Sequence, residues 1–425
     1  MKLRLYNAKI MTMLDESVID GELRTEGGVI KYVGASGENL PSESFDREID
    51  LKGNLIIPGF KNAHTHSAMT FLRSFADDLP LNDWLYNQVF PHEAKLTEEA
   101  VYVFTQLANM EYLTSGITSC FDMYMKLDSY AKANIDMGFR AVLCGSINDF
   151  GGTVEGMEEE YNKFNSLDPL ISYQLGFHAE YTTKRETLEG MARLSQKYKA
   201  PVYTHNSETE AEVEGCKERY GLTPTQLFDK LGMLEYGGGG FHCVWFEEKD
   251  MEIFRDKGLW VVTNPSSNLK LASGIAPLCE MRRRGITRFA IGTDGAASNN
   301  CLDMFREMFL VTGLQKYREN DASACPAFDV LDMATRGGAL AMGLTECDVL
   351  AAGKRADFAV IDLCQPNMRP IHNIPKNLVY AGSKQNVVMT AVDGRILYEK
   401  VNFTTVDANE IYARAEKIAG DICGL

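Results

Sequence analysis

The sequence has no CxxC pair, no run approaching the ~18 apolar residues of a membrane span, and no GxGxxG after its first barrel-type strand. Each absence excludes something. Ten cysteines fall singly between Cys120 and Cys423, so neither a disulfide framework nor a paired-thiolate metal site is expected, and they read as reduced thiols of a cytoplasmic protein. Residues 1–15 carry Lys2 and Arg4, but Asn7 and Lys9 interrupt the apolar residues, so no signal-peptide core is expected there. Without the nucleotide fingerprint a doubly wound dinucleotide fold is disfavoured. The glycine run Gly237 to Gly240 precedes a strand and lacks a following Lys-Ser/Thr, and is expected to be a flexible lead-in to that strand. Positive charge is scarce as well: 43 Lys and Arg against 59 Asp and Glu, a net charge of −16, would repel a phosphate backbone. The one compact basic run, Arg282-Arg283-Arg284, lies near a predicted helix end, where the dipole favours it, so nucleic acid is not an expected partner.

What is present is an ordinary soluble composition, 45% hydrophobic and 24% charged over 425 residues, enough for one large domain with additions or for two to three domains. Both ends are rich in short alternating runs. Leu3-Arg4-Leu5-Tyr6, residues 9–13 and residues 29–33 flank a Gly27-Gly28 hairpin turn at one end, and residues 356–362 and 387–398 form the other, so a small β domain built from both termini is expected. The middle alternates strand and helix. Thr97 should cap a helix that Gly116 closes, residues 129–137 should form a helix ended by Gly138, and Thr223-Pro224 should open another. Strands are expected at 117–121, 140–147, 170–177, 202–204, 240–244, 259–263 and 289–292. Counted from Ile56 this makes eight, a (β/α)8 TIM-type barrel. The predicted division is 1–57 and 351–425 for a β-sandwich domain, the latter with a terminal helix, and 58–350 for the barrel.

Of seven histidines, five sit at C-terminal ends of predicted barrel strands, the face where barrel enzymes place their chemistry: His64 and His66, His178, His205 and His242. Asp294 ends the eighth strand. His64 and His66, one residue apart after the apolar run Leu55-Ile56-Ile57, can point to one side of a strand. Three imidazoles and a carboxylate, His64, His66, His205 and Asp294, are what one catalytic Zn²⁺ or Fe²⁺ with an open position would use. Glu208, three residues past His205, can project into the same mouth as a proton carrier. His92 and His372 read as surface residues.

The segments Pro58-Gly59-Phe60-Lys61-Asn62-Ala63-His64-Thr65-His66, His205 with Glu208, Phe241-His242 and Gly292-Thr293-Asp294-Gly295 together resemble the amidohydrolase superfamily in its single-metal, cytosine/adenosine deaminase-like branch. Residues 76–85, 264–271 and 293–300 are more closely similar to its 5′-methylthioadenosine/S-adenosylhomocysteine deaminases, and the resemblance spans about the whole chain. It implies that His64, His66, His205 and Asp294 bind one divalent metal, zinc first and iron second. Glu208, His242 and Asp294 would then be the catalytic groups around the attacking water. Trp84 would line the pocket, Glu93 would accept the ribose hydroxyls, and His178 would contact the nucleoside. The implied reaction is deamination at C6 of an adenosine-type nucleoside: adenosine, 5′-deoxyadenosine, 5′-methylthioadenosine or S-adenosylhomocysteine. No lysine ends the fourth strand, which agrees with one metal. Residues 146–152, Ser-Ile-Asn-Asp-Phe-Gly-Gly, lack the arginines that would pair with an amino-acid carboxylate, which favours smaller 5′ substituents. The alternatives are a deaminase of a free base such as guanine or cytosine, a triazine-type hydrolase on the same fold, and a non-enzymatic barrel scaffold. A homo-oligomer without membrane or nucleic-acid partners is expected.

Overall fold

The structure, a computed structural model, describes residues 1–37 and 43–424; residues 38–42 and 425, which fall within the terminal segments assigned to the β domain, lie outside the described residues. Eight parallel strands follow one another in sequence and in space: Phe60–Thr65, Ile117–Met123, Arg140–Cys144, Ile171–Gly176, Val202–Asn206, Gly238–His242, Trp260–Thr263 and Phe289–Ile291. The first and last are joined at the C-terminal face, where the main-chain N–H groups of Thr293 and Asp294 both donate to the His64 carbonyl, at 3.1 and 3.0 Å. Eight barrel strands are present as expected, the first beginning at Phe60 and not at Ile56. Their inner side chains, among them Ala63, Phe121, Val142, Tyr203, Phe241 and Val262, pack on one another, and Ala339, Met342 and Leu344 close the opposite end.

Strands from both chain ends form one mixed nine-stranded sheet, in which Lys2–Ile10 pairs with Ile19–Glu26, and Leu55–Pro58 pairs antiparallel with Phe358–Ile361. Gly27 and Gly28, both left-handed, make the expected turn before Val29–Gly34. Leu3, Leu5, Ile30, Ile56, Phe358 and Met389 belong to a separate apolar core. The terminal helix, Ala408–Cys423, is capped by Asp407.

Two expectations are corrected. The apolar run Leu55-Ile56-Ile57 belongs to the terminal sheet; the barrel strand that carries the histidines starts after Gly59, whose missing side chain leaves room for Thr118, 2.1 Å from where a Cβ would stand. The glycines Gly238 to Gly240 are no flexible lead-in but lie inside the sixth strand. A Cβ at Gly238 would stand 1.9 Å from the Val202 carbonyl oxygen, and one at Gly239 2.4 Å from that of Trp260, so neighbouring backbones fill the space. The helices proposed around Thr97, Gly138 and Thr223 are present, with Thr97 and Thr223 accepting main-chain N–H groups as caps. The basic run ends the helix Leu278–Arg283, with Arg282, Arg283 and Arg284 paired to Asp329, Glu319 and Glu248. None of the ten cysteines is disulfide-bonded. No helix among the described residues is long and apolar enough to cross a membrane.

Candidate active site and metal centre

The strand ends converge at the floor of a cavity of about 690 Å³ at the C-terminal face. His64 Nε2 stands 3.1 Å from His205 Nε2 and 3.7 Å from Asp294 Oδ1, while His66 Nε2 stands 3.2 Å from the same carboxylate oxygen. His242 Nε2 lies 4.0 Å from Asp294 Oδ2 and 3.8 Å from Glu208 Oε2. One donor atom each from His64, His205, His242 and Asp294 falls within 4.8 Å of the others, a compact four-donor group that includes His242 and leaves His66 at its edge. All of these side chains are buried.

Each ring is oriented by a second partner. His66 Nδ1 donates to the Met123 carbonyl at 2.6 Å, and His205 Nδ1 to that of His178 at 2.6 Å. His242 Nδ1 lies 2.7 Å from Asn268 Oδ1. His64 is held by packing, its ring stacked 3.8 Å from Phe241. Asp294 Oδ2 accepts the hydroxyls of Ser267 and Ser298 at 2.6 and 2.8 Å, and Oδ1 accepts the Gly295 N–H. His242 and Asp294 both have left-handed backbones, φ 72° and 59°, an arrangement costing on the order of 1–3 kcal/mol each that the surrounding bonds must hold in place.

The donor set fits a cation. With Nδ1 of His66 and His205 committed to carbonyl oxygens, their Nε2 atoms present lone pairs to Asp294 and to His64, and His242 Nε2 is buried without a hydrogen-bond partner. Acceptors crowded against acceptors in a buried site are relieved when a positive charge stands among them. The electrostatics show the same demand for positive charge, met here by a proton on His66: burial raises and the neighbouring histidines lower the Asp294 carboxyl, which ends well below the usual range. Burial lowers His66, but the Asp294 bond and charge outweigh it and lift the ring to about 9. Burial and neighbouring histidines keep His64 and His205 far below 6.5.

Glu208 enters from the turn after the fifth strand, its Oε1 accepting the Ser273 hydroxyl at 3.0 Å. Trp84 and Glu93 reach the cavity from the long connection after the first strand, Trp84 in the wide helical turn Trp84–Val89 and Glu93 at the end of Phe90–Glu93. Burial pushes the Glu93 carboxyl up to about 7, opposed by His66 and by the Tyr124 hydroxyl, which lies near it without a well-formed hydrogen bond. His178 lines the cavity with Nδ1 2.8 Å from the Thr182 hydroxyl, and burial lowers its pKa to about 4. The connection carrying Trp84 is tied across the mouth: Lys270 Nζ donates to Asp77 at 2.6 Å and to Asn300, which itself donates to Asp77 at 2.6 Å. The three segments at 76–85, 264–271 and 293–300 thus meet at one knot. His92 is half-buried against Phe75 outside the cavity, and His372 is exposed.

Sequence reasoning assigned no role to Asn268, Ser267, Ser273, Ser298, Tyr124 or Glu212, all of which orient a predicted site residue or lie against one. Ser267, Asn268 and Ser298 do fall in the segments singled out, which was the available signal.

Residues 55–397 match the sequence model of the amidohydrolase family. A 5-methylthioadenosine/S-adenosylhomocysteine deaminase of Dictyoglomus thermophilum (strain ATCC 35947 / DSM 3960 / H-6-12) is 38% identical over 426 residues, covering 99% of each chain. One from Desulfitobacterium hafniense (strain DSM 10664 / DCB-2) is 38% identical over 97% of this chain and 96% of its own. An adenosine deaminase from Xanthomonas campestris, solved with bound zinc, superposes with a TM-score of 0.94 at 31% identity over 100% of this chain and 99% of that one. A triazine hydrolase variant, TM-score 0.89 at 22% identity over 98% and 99%, shares the fold.

Proposed function

The chain belongs to the amidohydrolase family, and on that premise we propose that it is a metal-dependent aminohydrolase replacing the C6 amino group of an adenosine-type nucleoside with oxygen. The products are the inosine analogue and ammonia. The observation carrying this reading is the convergence of His64, His66, His205, His242 and Asp294 beneath a cavity that Glu208, Trp84, Glu93 and His178 also line. The names of the relatives at 38% identity support the adenosine-type substrate, and the zinc in the related adenosine deaminase supports zinc.

We assign one ion to His64, His66, His205 and Asp294. His242 is left out because its Nε2 faces the gap between Glu208 and Asp294, where the reacting atoms belong. A divalent ion held there would lower the pKa of a coordinated water from 15.7 to roughly 7. The Asp294 carboxylate takes the proton of the attacking water, and the Ser267 and Ser298 hydroxyls keep its Oδ2 in place. His242, with Nδ1–H on Asn268, accepts the other O–H of that water through Nε2. As the oxygen bonds to C6, protonated Glu208 gives its proton to ring N1. The proton held by Asp294 passes to the amino nitrogen, the C6–N bond breaks and ammonia leaves, while the remaining O–H proton, held by His242 Nε2, returns to Glu208 as the C6 carbonyl forms. Glu93 accepts the ribose hydroxyls, Trp84 covers the base, and His178 contacts the nucleoside. Residues 58–350 are the catalytic unit, supported by the β domain of 1–57 and 351–425.

Ammonia release from zinc-loaded protein tests the reading with adenosine, 5′-deoxyadenosine, 5′-methylthioadenosine, guanine and cytosine. Turnover confined to the nucleosides, with Glu93→Ala crippling it, is expected. Intact zinc-loaded protein silent on every nucleoside would refute it.

A further inference from the structure

The cavity extends past the nucleoside-binding groups into a crevice between Met125, Lys126 and Leu127 on one side and the helix Val154–Phe164 on the other. The N-cap Thr153 and, three, four and seven residues on, Gly156, Met157 and Glu160 share one face of that helix, and all four border the cavity. At 1.5 Å per residue this face runs for about 10 Å, the reach of a chain of several atoms. The crevice continues from the ribose end of the site: Tyr124 lies beside Glu93, and the next three residues form the crevice wall.

Its one carboxylate is Glu160. One oxygen, Oε2, accepts the Tyr173 hydroxyl at 2.9 Å; the other has no hydrogen-bond partner among the described residues. Met125, Leu127 and Met157 give the crevice apolar walls. Both nearby cations already face another carboxylate. Lys163, on the same helix, is 2.5 Å from Asp128, and Lys126 Nζ is 3.7 Å from Glu98. Lys126 is also the single lysine or arginine bordering the whole cavity among the described residues, against four carboxylates, Glu93, Glu160, Glu208 and Asp294. An anionic tail therefore meets four carboxylates against one lysine that already faces Glu98, whereas an apolar stem ending in a positive charge meets apolar walls and then a carboxylate.

Building on the nucleoside reading above, we infer that this crevice receives the 5′ substituent and selects an aliphatic chain ending in an ammonium group, with Glu160 as its ion partner. Glu160→Gln tests this, because the amide oxygen keeps the Tyr173 bond while the charge is lost. KM and kcat are measured for wild type and variant with adenosine, 5′-methylthioadenosine, 5′-deoxy-5′-(3-aminopropylthio)adenosine and S-adenosylhomocysteine. In the wild type the aminopropylthio compound should show a KM about tenfold below that of 5′-methylthioadenosine, the effect of about 1.4 kcal/mol of ion pairing. Glu160→Gln should erase that advantage and leave adenosine and 5′-methylthioadenosine within about twofold. A wild-type preference for the carboxylate-bearing tail, or a variant that shifts all substrates alike, would overturn the inference and leave the deaminase reading standing. Should no nucleoside be turned over, the deaminase reading fails instead. Calorimetric binding of the aminopropylthio compound to both proteins then decides the crevice alone: Glu160-dependent binding supports the inference and its absence ends it.

Discussion

The Glu212 carboxylate accepts two successive main-chain N–H groups, that of Ser207 at 3.0 Å and that of Glu208 at 2.8 Å. Glu212 sits in the first turn of Glu210–Tyr220, a helix capped by Thr209, and is 4% exposed. A buried acid thus fixes the peptide that carries the proposed proton donor. Glu212→Gln sets an amide N–H₂ against one of the two N–H donors, a loss of about 1–3 kcal/mol. The expected result is a lower melting temperature and a kcat reduced roughly tenfold, a loss of about 1.4 kcal/mol of transition-state stabilisation, with zinc content unchanged. Steady-state rates beside metal analysis check this, and a variant with full kcat would remove Glu212 from the positioning of Glu208.

His66 and His242 compete for a place among the proposed metal ligands. Geometry alone groups His242 with His64, His205 and Asp294, while His66 Nε2 is the nearer to Asp294, at 3.2 against 4.0 Å. The assignment above predicts that His66→Ala purifies with little zinc, whereas His242→Ala retains about one zinc per chain and loses most of its turnover. Zinc analysis of the two proteins, purified alike, decides; the opposite pattern would exchange their roles.

How much of this was legible follows from what each residue's signal depends on. The five histidines and Asp294 could be placed because strand-end position in an alternating β/α chain is a local property. The orienting groups could not. Serine and asparagine are common, and Ser267 matters only because folding brings it to Asp294, 27 positions away, as Asn268 is brought to His242, 26 away. The run Leu55-Ile56-Ile57 misled because apolarity signals burial without saying in which sheet. The glycines at 238–240 misled because close backbone approach and flexibility look alike in sequence. The helix Val154–Phe164, which supplies Glu160, is weakly marked in sequence, because it buries only Met157 and Phe164 among five charged residues.

Glu307 gives a pH-dependent stability with a definite sign. It is buried, accepts the Ser266 N–H at 3.1 Å and an Asn299 amide N–H at 2.9 Å, and burial raises its pKa from 4.5 to about 7 despite those bonds. A carboxyl whose folded pKa is raised contributes stability that is fully present below 4.5 and is lost as pH rises through about 7. Its share is at most about 3 kcal/mol. The wild-type advantage over Glu307→Gln should therefore shrink between pH 5 and pH 8. Urea midpoints of the two proteins at each pH measure it, the difference cancelling the metal's own pH dependence. An advantage that grows with pH would contradict the assignment.

Asp357 holds the barrel to the terminal sheet, and its loss should be costly for a reason opposite to that of Glu307. It pairs with Arg140 through both oxygens, at 2.7 and 3.2 Å, lies 4.0 Å from Lys61 Nζ, and accepts the Asp393 N–H at 2.8 Å. Arg140 and Lys61 come from barrel strands, and all three side chains are buried. Burial raises the Asp357 pKa, but Arg140 and Lys61 outweigh it and hold the carboxyl below 3.8. A carboxyl with a lowered folded pKa contributes stability present above 3.8 and lost as pH falls through the folded value, so this pair belongs to the acid limb of the stability curve. Asp357→Asn leaves buried Lys61 without a counter-ion and Arg140 with only Asp393, 3.6 Å away, a cost of about 3–5 kcal/mol near neutral pH. Urea unfolding at pH 7 should show that loss, and the gap between the two proteins should narrow as pH falls below 3.8 through the folded value. A gap that stays constant from pH 7 to pH 3 would mean that the side chain acts through packing and its bond to Asp393, and that its charge contributes little.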